Sequence, residues 1–288
     1  MNTHKRGVAE MTLAMTISGT VGWFAIQSGL APSAAVFWRC LFGSAAMLIV
    51  CAMLGFLRRD VFNRRQFAWI VLGGVALALN WSFLFGAYAY ASISVATVIY
   101  HTQPFMLVGL GVLLLGERLT LNKLGWLVLS FAGMLGIVLG RSVSGADSPD
   151  FSIGVLMALG AAFFYAAAAL IAKKLKGVPP HLIVLIQLSV GAIMLLPFAG
   201  RPAGATSWAM LLTIGVVHTA VMSTLLYGAL QKLPTSLVGI LSFIYPVVAI
   251  IVDWLAFDQK MNLMQFAGAG AILLSAAAMN LGWSHPKQ

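Results

Sequence analysis

Charge is scarce in this sequence: of 288 residues only 8% are Asp, Glu, Lys or Arg, and only seven are acidic. A soluble domain carries about 25% charged residues, so this chain lacks the side chains to coat a water-soluble globule of its size. Most cytoplasmic enzymes and regulators are thereby excluded. The few acids fall mostly in connecting segments, without an HExxH pair or an Asp-rich cluster. A membrane-embedded enzyme acting on lipid would lack its usual metal ligands or its nucleophile and base. No metal and no cofactor is expected. Cysteine is limited to Cys40 and Cys51, which on one helix lie roughly 16 Å apart at about 1.5 Å per residue, too far for a disulfide.

What is abundant is apolar surface: 61% of residues are hydrophobic and the mean hydropathy is +0.97. Crossing a bilayer takes about 20 apolar residues in a helix. Ten apolar stretches separate at polar or Gly/Pro joints, over 8–29, 35–56, 67–87, 94–115, 121–140, 152–172, 180–199, 207–229, 235–256 and 262–282. The weakest joint is Tyr90-Ala91-Ser92-Ile93-Ser94; the split is made there because 67–115 is too long for one crossing. Segments such as Val95 to Leu115 are apolar all round, unlike the alternating strands of a barrel. The expected fold is all-α and integral to the membrane, with ten transmembrane helices. The first apolar run exceeds a signal peptide's core of about 7–15 residues and is read as a retained helix.

The net charge of +10 raises nucleic-acid binding as a possibility, and the placement of the cations removes it. With the N-terminus inside, the inner loops hold Lys5, Arg6, Arg58, Arg59, Arg64, Arg65, Arg118, Lys123, Lys173, Lys174, Lys176, Lys232 and Lys287. The outer loops hold only Arg141, Arg201 and Lys260, and Arg39 lies within a span. This is the positive-inside pattern, with both termini cytoplasmic in a multi-pass protein of the cell's inner membrane.

Aligning the chain with itself is informative. Phe85-Gly86-Ala87 falls on Tyr227-Gly228-Ala229, and at the same offset Gln103-Pro104 falls on Tyr245-Pro246. The reading is two five-helix repeats, 1–146 and 147–288, within one membrane domain. An odd number of helices inverts the second copy, the arrangement through which secondary transporters expose one central site to each side in turn.

Pro104 and Pro246 sit at matching places in the fourth and ninth spans. Proline removes a backbone hydrogen bond and crowds the preceding turn, so each span should kink there and supply a gating hinge beside a central site. Polar groups within spans are the other candidates: Asn80, His101, Gln103, Gln187, His218 and Ser242. Each reads equally as an interhelical hydrogen bond. Trp23, Trp81, Tyr88, Tyr100, Phe163, Phe164, Tyr165, Phe243 and Tyr245 are interleaved with them, and an aromatic wall with a few uncharged polar groups suits a net-neutral amphipathic solute. Arg39 has three readings: a guanidinium extended to the interface, a partner of Asp253, or a contact for a substrate carboxylate. Gly133, Gly136, Gly140, Gly268 and Gly270 permit close helix approach, outside the cavity and at a dimer contact if one exists.

The run Ala34-Ala35-Val36-Phe37-Trp38-Arg39, the stretch from Gly86-Ala87-Tyr88 to Pro104, and Leu115-Gly116-Glu117-Arg118-Leu119 before Gly125 resemble the drug/metabolite transporter superfamily, specifically its EamA-type exporters. Among these the chain is most similar to bacterial exporters of aromatic and other neutral amino acids. In the second half Phe257-Asp258-Gln259-Lys260 stands where the first has Leu115-Gly116-Glu117-Arg118, which argues against a symmetrical role for Glu117. The resemblance implies that the third and fourth spans surround the cavity, which ranks Asn80 and His101 first as substrate contacts, and that the seventh is peripheral, which makes Gln187 structural. It implies amino-acid export by alternating access, with drug or metabolite efflux on the same fold as the alternative. The partners expected are a small neutral solute and membrane lipid, with no nucleic acid, for a monomer or homodimer. His101 is the preferred group for proton coupling; facilitated diffusion or exchange fits as well.

Overall fold

The computed structural model describes residues 2–58, 61–91, 93–139, 151–257, 262–281 and 283, and among them every regular element is helical. In chain order these are α1 (Thr3–Ser28), α2 (Pro32–Met53), α3 (Arg64–Tyr90), α4 (Ile93–Tyr100), α5 (Gln103–Leu115), α6 (Leu121–Leu139), α7 (Phe151–Lys174), α8 (Pro180–Leu195), α9 (Gly204–Gly215), α10 (Met222–Lys232), α11 (Thr235–Ser242), α12 (Ile244–Phe257) and α13 (Leu263–Asn280). Backbone groups in lipid must be satisfied within the segment, which explains the uniform helicity. Among the described residues, nine helical segments are long and apolar enough to cross a bilayer. The helix α1 is long enough at 26 residues but falls outside that set, its run interrupted by Glu10, Thr12, Thr16, Ser18 and Thr20. The boundary at 146 and 147 lies outside the described residues, as do Arg59, Gly140, Arg141, Lys260, Lys287 and the Asp253 side chain.

Local chemistry sets the helix ends. α3 and α13 both start on a reciprocal capping box, Asn63 with Gln66 and Asn262 with Gln265. Between α3 and α4 the chain turns extended at Ala91 (φ −123°, ψ 155°), so the weakly polar joint does divide two helices. Gly116 closes α5 in the left-handed conformation (φ 66°), and the Glu117 N–H bonds back to Gly111 O at 3.2 Å, a helix stop that glycine permits at little steric cost.

The fourth and ninth spans are each interrupted at the expected place, the joining residues Thr102 and Phe243 keeping right-handed helical backbone angles. α4 stops at Tyr100 and α5 starts at Gln103, while α11 stops at Ser242 and α12 starts at Ile244. In each case the proline falls in the first turn of the second piece, where its missing N–H costs little, and the residue four before it, Tyr100 or Ser242, is the last of the first piece. A further irregularity has no proline behind it: Val216–Val221 is a π-helical turn joining α9 to α10.

The principal helix contacts pair α3 with α7, α6 with α13, α2 with α8, and α1 with α10 and α12. Each joins an element from before residue 146 to one from after it, so the two stretches interlock and share one core. The α6–α13 contact is backbone-close: a Cβ on Gly268 would lie 2.3 Å from Gly133 O. These glycines are therefore spent inside the chain and unavailable to a dimer, whereas Gly270 faces open space.

Candidate functional site

The two helix breaks meet. The His101 ring, at the end of α4, stacks on Tyr245 beside the α11–α12 break, with centroids 5.8 Å apart and planes 26° from parallel. His101 Nδ1 lies 2.7 Å from Thr97 O; since a carbonyl only accepts, Nδ1 carries the proton and Nε2 is the acceptor of the neutral ring. Around this stack is a cavity of about 520 Å³ between helices of both stretches. Its wall includes Trp81, Tyr100, His101, Gln103, Tyr165, Ser242 and Tyr245, all expected from sequence at the site. It extends to the α1–α2 joint, at Ile26, Leu30 and Pro32.

Other expected residues lie off this wall. Asn80 is fully buried behind it, its Nδ2 donating to Ala161 O at 2.7 Å and to Tyr100 Oη at 3.3 Å. Its place is to tie α3 to α7 and fix the Tyr100 ring, because an amide inside a packed contact must spend its donors on neighbours. Phe243 is fully buried and turned toward Phe131 of α6, 6.3 Å between centroids. Trp23 packs edge-on against Phe24 at 4.8 Å. Phe24 in turn contacts His218, whose Nε2 meets Thr20 Oγ1 at 2.8 Å, so His218 joins α1 to the π turn and also lies off the wall.

Sequence reasoning ranked Arg39 too low and missed Tyr227. Arg39 lines the cavity; its Nε donates to Thr219 Oγ1 at 2.9 Å, and its guanidinium lies 5.1 Å from the Trp81 ring centroid. The interfacial reading is thereby overturned: Arg39 turns inward because Trp81 and Thr219, distant in sequence, offer a π face and an acceptor. Tyr88 and Tyr227 also line the wall, and the Tyr227 hydroxyl donates to Gln187 Oε1, giving Gln187 of α8 a structural place.

At the end of the bundle opposite the α1–α2 joint, beyond the residues that line the cavity, charged contacts tie the helices together. The Gly116 turn directs Glu117 onto the start of α11, where its carboxylate accepts from the Thr235 N–H at 2.8 Å and hydroxyl at 2.6 Å. Its other oxygen is 3.1 Å from Lys173 Nζ at the end of α7. Lys173 is buried despite its place beside a loop, and donates also to Leu233 O and to Leu230 O at 3.4 Å. Partial burial pushes the Glu117 carboxyl up, but the two Thr235 bonds and Lys173 outweigh it and hold the group below its ordinary range. A second cluster joins α1 to α10: Glu10 accepts from Lys232 at 2.6 Å and from Arg6 at 2.9 Å.

The sequence description of the EamA-like transporter family matches residues 5–139 and again 152–281. An uncharacterized transporter, YxxF of Bacillus subtilis, is 28% identical over 94% of this chain and 88% of its own. The riboflavin transporter of Vibrio cholerae is 27% identical over 92% and 88%, and the pseudopaline exporter CntI of Pseudomonas aeruginosa 25% identical over 85% and 84%. A crystal structure sharing 18% identity superposes with a TM-score of 0.85 over 96% of each chain, a likeness of fold.

Proposed function

The chain belongs to the EamA-like transporter family, and from that premise we propose that it exports aromatic and other neutral amino acids across the inner membrane. The mechanism proposed is alternating access between two inverted five-helix halves, with α1 counted as the first of ten crossings. The observation that carries this reading is the His101–Tyr245 stack joining two broken helices at one cavity. Discontinuous spans at a repeat interface are where secondary transporters bind their cargo, and the volume falls in the usual small-molecule range of about 300–1,000 Å³.

In this reading the substrate is held by the sequence-expected wall residues, with Asn80 positioning Tyr100. The excess of cations at the Lys173 and Lys232 end makes that end cytoplasmic. The state described is then outward-facing: the ion pairs of Glu117 and Glu10 seal the inner mouth, and Pro104 and Pro246 mark the joints about which the half-helices swing. Parting of those pairs and closure of the α1–α2 end would give the inward-facing state that loads cargo.

A larger, non-peptidic metabolite is the second reading, favoured by the cargoes in the names of two relatives, pseudopaline and riboflavin. Reconstitution in liposomes and counterflow of labelled phenylalanine, leucine and riboflavin separates the two. Uptake of the amino acids, lost in His101→Ala and Tyr245→Ala, is the expected result. Riboflavin uptake without amino-acid uptake would establish the second reading, and no uptake of any amino acid overturns the first. The same assay under an imposed pH gradient tests His101 in proton coupling.

A further inference from the structure

Among the described residues, Arg39 presents a cation to the cavity with no carboxylate paired to it. Among the described residues the ion pairs join Arg6, Lys173 and Lys232 to Glu10 and Glu117, all at the opposite end of the bundle. A guanidinium has five N–H donors, and here its acceptors are neutral: Thr219 Oγ1 at 2.9 Å and His218 O at a marginal 3.4 Å. Burying a charge inside a membrane protein is expensive, and such charges mark ligand pathways. We propose that Arg39 is the anchor for a carboxylate on the transported solute, which makes the cargo an amphipathic acid or zwitterion rather than a cation or an uncharged lipophile. The inference rests on the cavity being the transport site, as proposed above.

The surroundings hold Arg39 ready for that role. Thr219 gives its own proton to Ile214 O at 2.9 Å, leaving the hydroxyl oxygen to accept from Nε. That bond follows the wide π turn, because Ile214 and Thr219 are one residue further apart than α-helical partners. With Nε held there and the guanidinium over the Trp81 ring, terminal N–H groups remain for the forked contact a carboxylate makes. Charge number sets the class of anion. Among the described residues no other Lys or Arg lines the cavity, so this wall balances one negative charge and offers no clamp for a phosphate dianion. Gln103 also lines the cavity, and its Oε1 is buried with no hydrogen-bond partner among the described residues. A guanidinium and a side-chain amide on one aromatic wall match the two ends of a zwitterion.

The test uses purified full-length protein, with binding read from tryptophan fluorescence and transport from counterflow in liposomes. The probes are phenylalanine, 3-phenylpropionate, which keeps only the carboxylate, and phenethylamine, which keeps only the amine. Arg39→Gln is expected to weaken phenylalanine and phenylpropionate binding by about tenfold or more, the scale of losing a charge-assisted pair, while phenethylamine changes by less than about twofold. Arg39→Lys should recover part of the preference for carboxylates and, if Arg39→Gln does not fold, serves as the deciding variant through its reduced carboxylate-to-amine ratio. The anchor is overturned if the wild type binds neither carboxylate, or if the variants weaken all three probes alike. Carboxylate binding without counterflow would leave the anchor standing and remove the transport reading; counterflow indifferent to Arg39 would do the reverse.

Discussion

Among the described residues, the helices at the α1–α2 end of the bundle are tied by neutral bonds, Ser207 Oγ to Ser28 O at 2.6 Å and Trp38 Nε1 to Gly200 O at 2.7 Å. At the other end the ties are ionic: Glu117 with Lys173 and Thr235, and Glu10 with Lys232 and Arg6. The cavity reaches the first end and stops short of the second. A neutral bond is readily exchanged for one to water, whereas a buried lysine parted from its carboxylate is left without a counter-charge. In the proposed transport cycle this asymmetry favours the state described and makes opening of the ionic end the costly step.

That comparison can be broken in graded ways. Glu117→Gln should act most strongly, because it strands the buried Lys173 ammonium among carbonyls; a loss of about 3 kcal/mol is expected in thermal or denaturant unfolding. The same change should expose the ionic end, read as faster thiol labelling of a Ser236→Cys reporter, at the buried neighbour of Thr235, than in the reporter with Glu117 intact. The native Cys40 and Cys51 are buried and give little background.

Acid should repeat that effect reversibly. The Glu117 carboxyl is held below its ordinary range, so its contribution is complete above the unfolded value of about 4.3 and is lost only as pH falls through the lower folded value. Labelling that accelerates below about pH 4 in the parent reporter, but no longer does so in the Glu117→Gln background, is the expected outcome.

At the neutral end Ser207→Ala should cost only about 1 kcal/mol. Equal losses for Ser207→Ala and Glu117→Gln would erase the contrast between the ends. Smallest of all is Arg6→Ala, expected to cost about 0.5 kcal/mol or less by the same unfolding measurement, because that pair is solvent-exposed on the arginine side.

Much of this arrangement is legible along the chain because it is written in local chemistry. Apolar runs mark the long helices, and Pro104 and Pro246 mark the breaks and hence the neighbourhood of His101 and Tyr245. What escaped depends on pairs distant in sequence. Asn80 reads as a cavity residue until Ala161 is seen to take its donor, and Arg39 reads as interfacial until Thr219 and Trp81 come beside it. Lys173 sits next to Lys174 at a span end, where hydropathy predicts solvent; only the Gly116 turn, which brings Glu117 across, makes its burial tolerable. The π turn has no compositional mark at all, since a single widened hydrogen-bonded ring requires no particular residue.

That turn also acts as a phase shifter. One added residue rotates everything after it by about 100° relative to a regular α-helix, so α9 and α10 are a single rod read in two registers. Before the shift Gly215 meets Phe42 and Gly43 of α2; after it Met222, Leu226 and Tyr227 point into the cavity. A position-by-position scan of 204–232 will therefore trace two periodic patterns offset from each other. Deleting one residue within Val216–Val221 should merge them, leaving the helix nearly as long while swinging Tyr227 off the cavity and dissolving the hold that Thr219 keeps on Arg39.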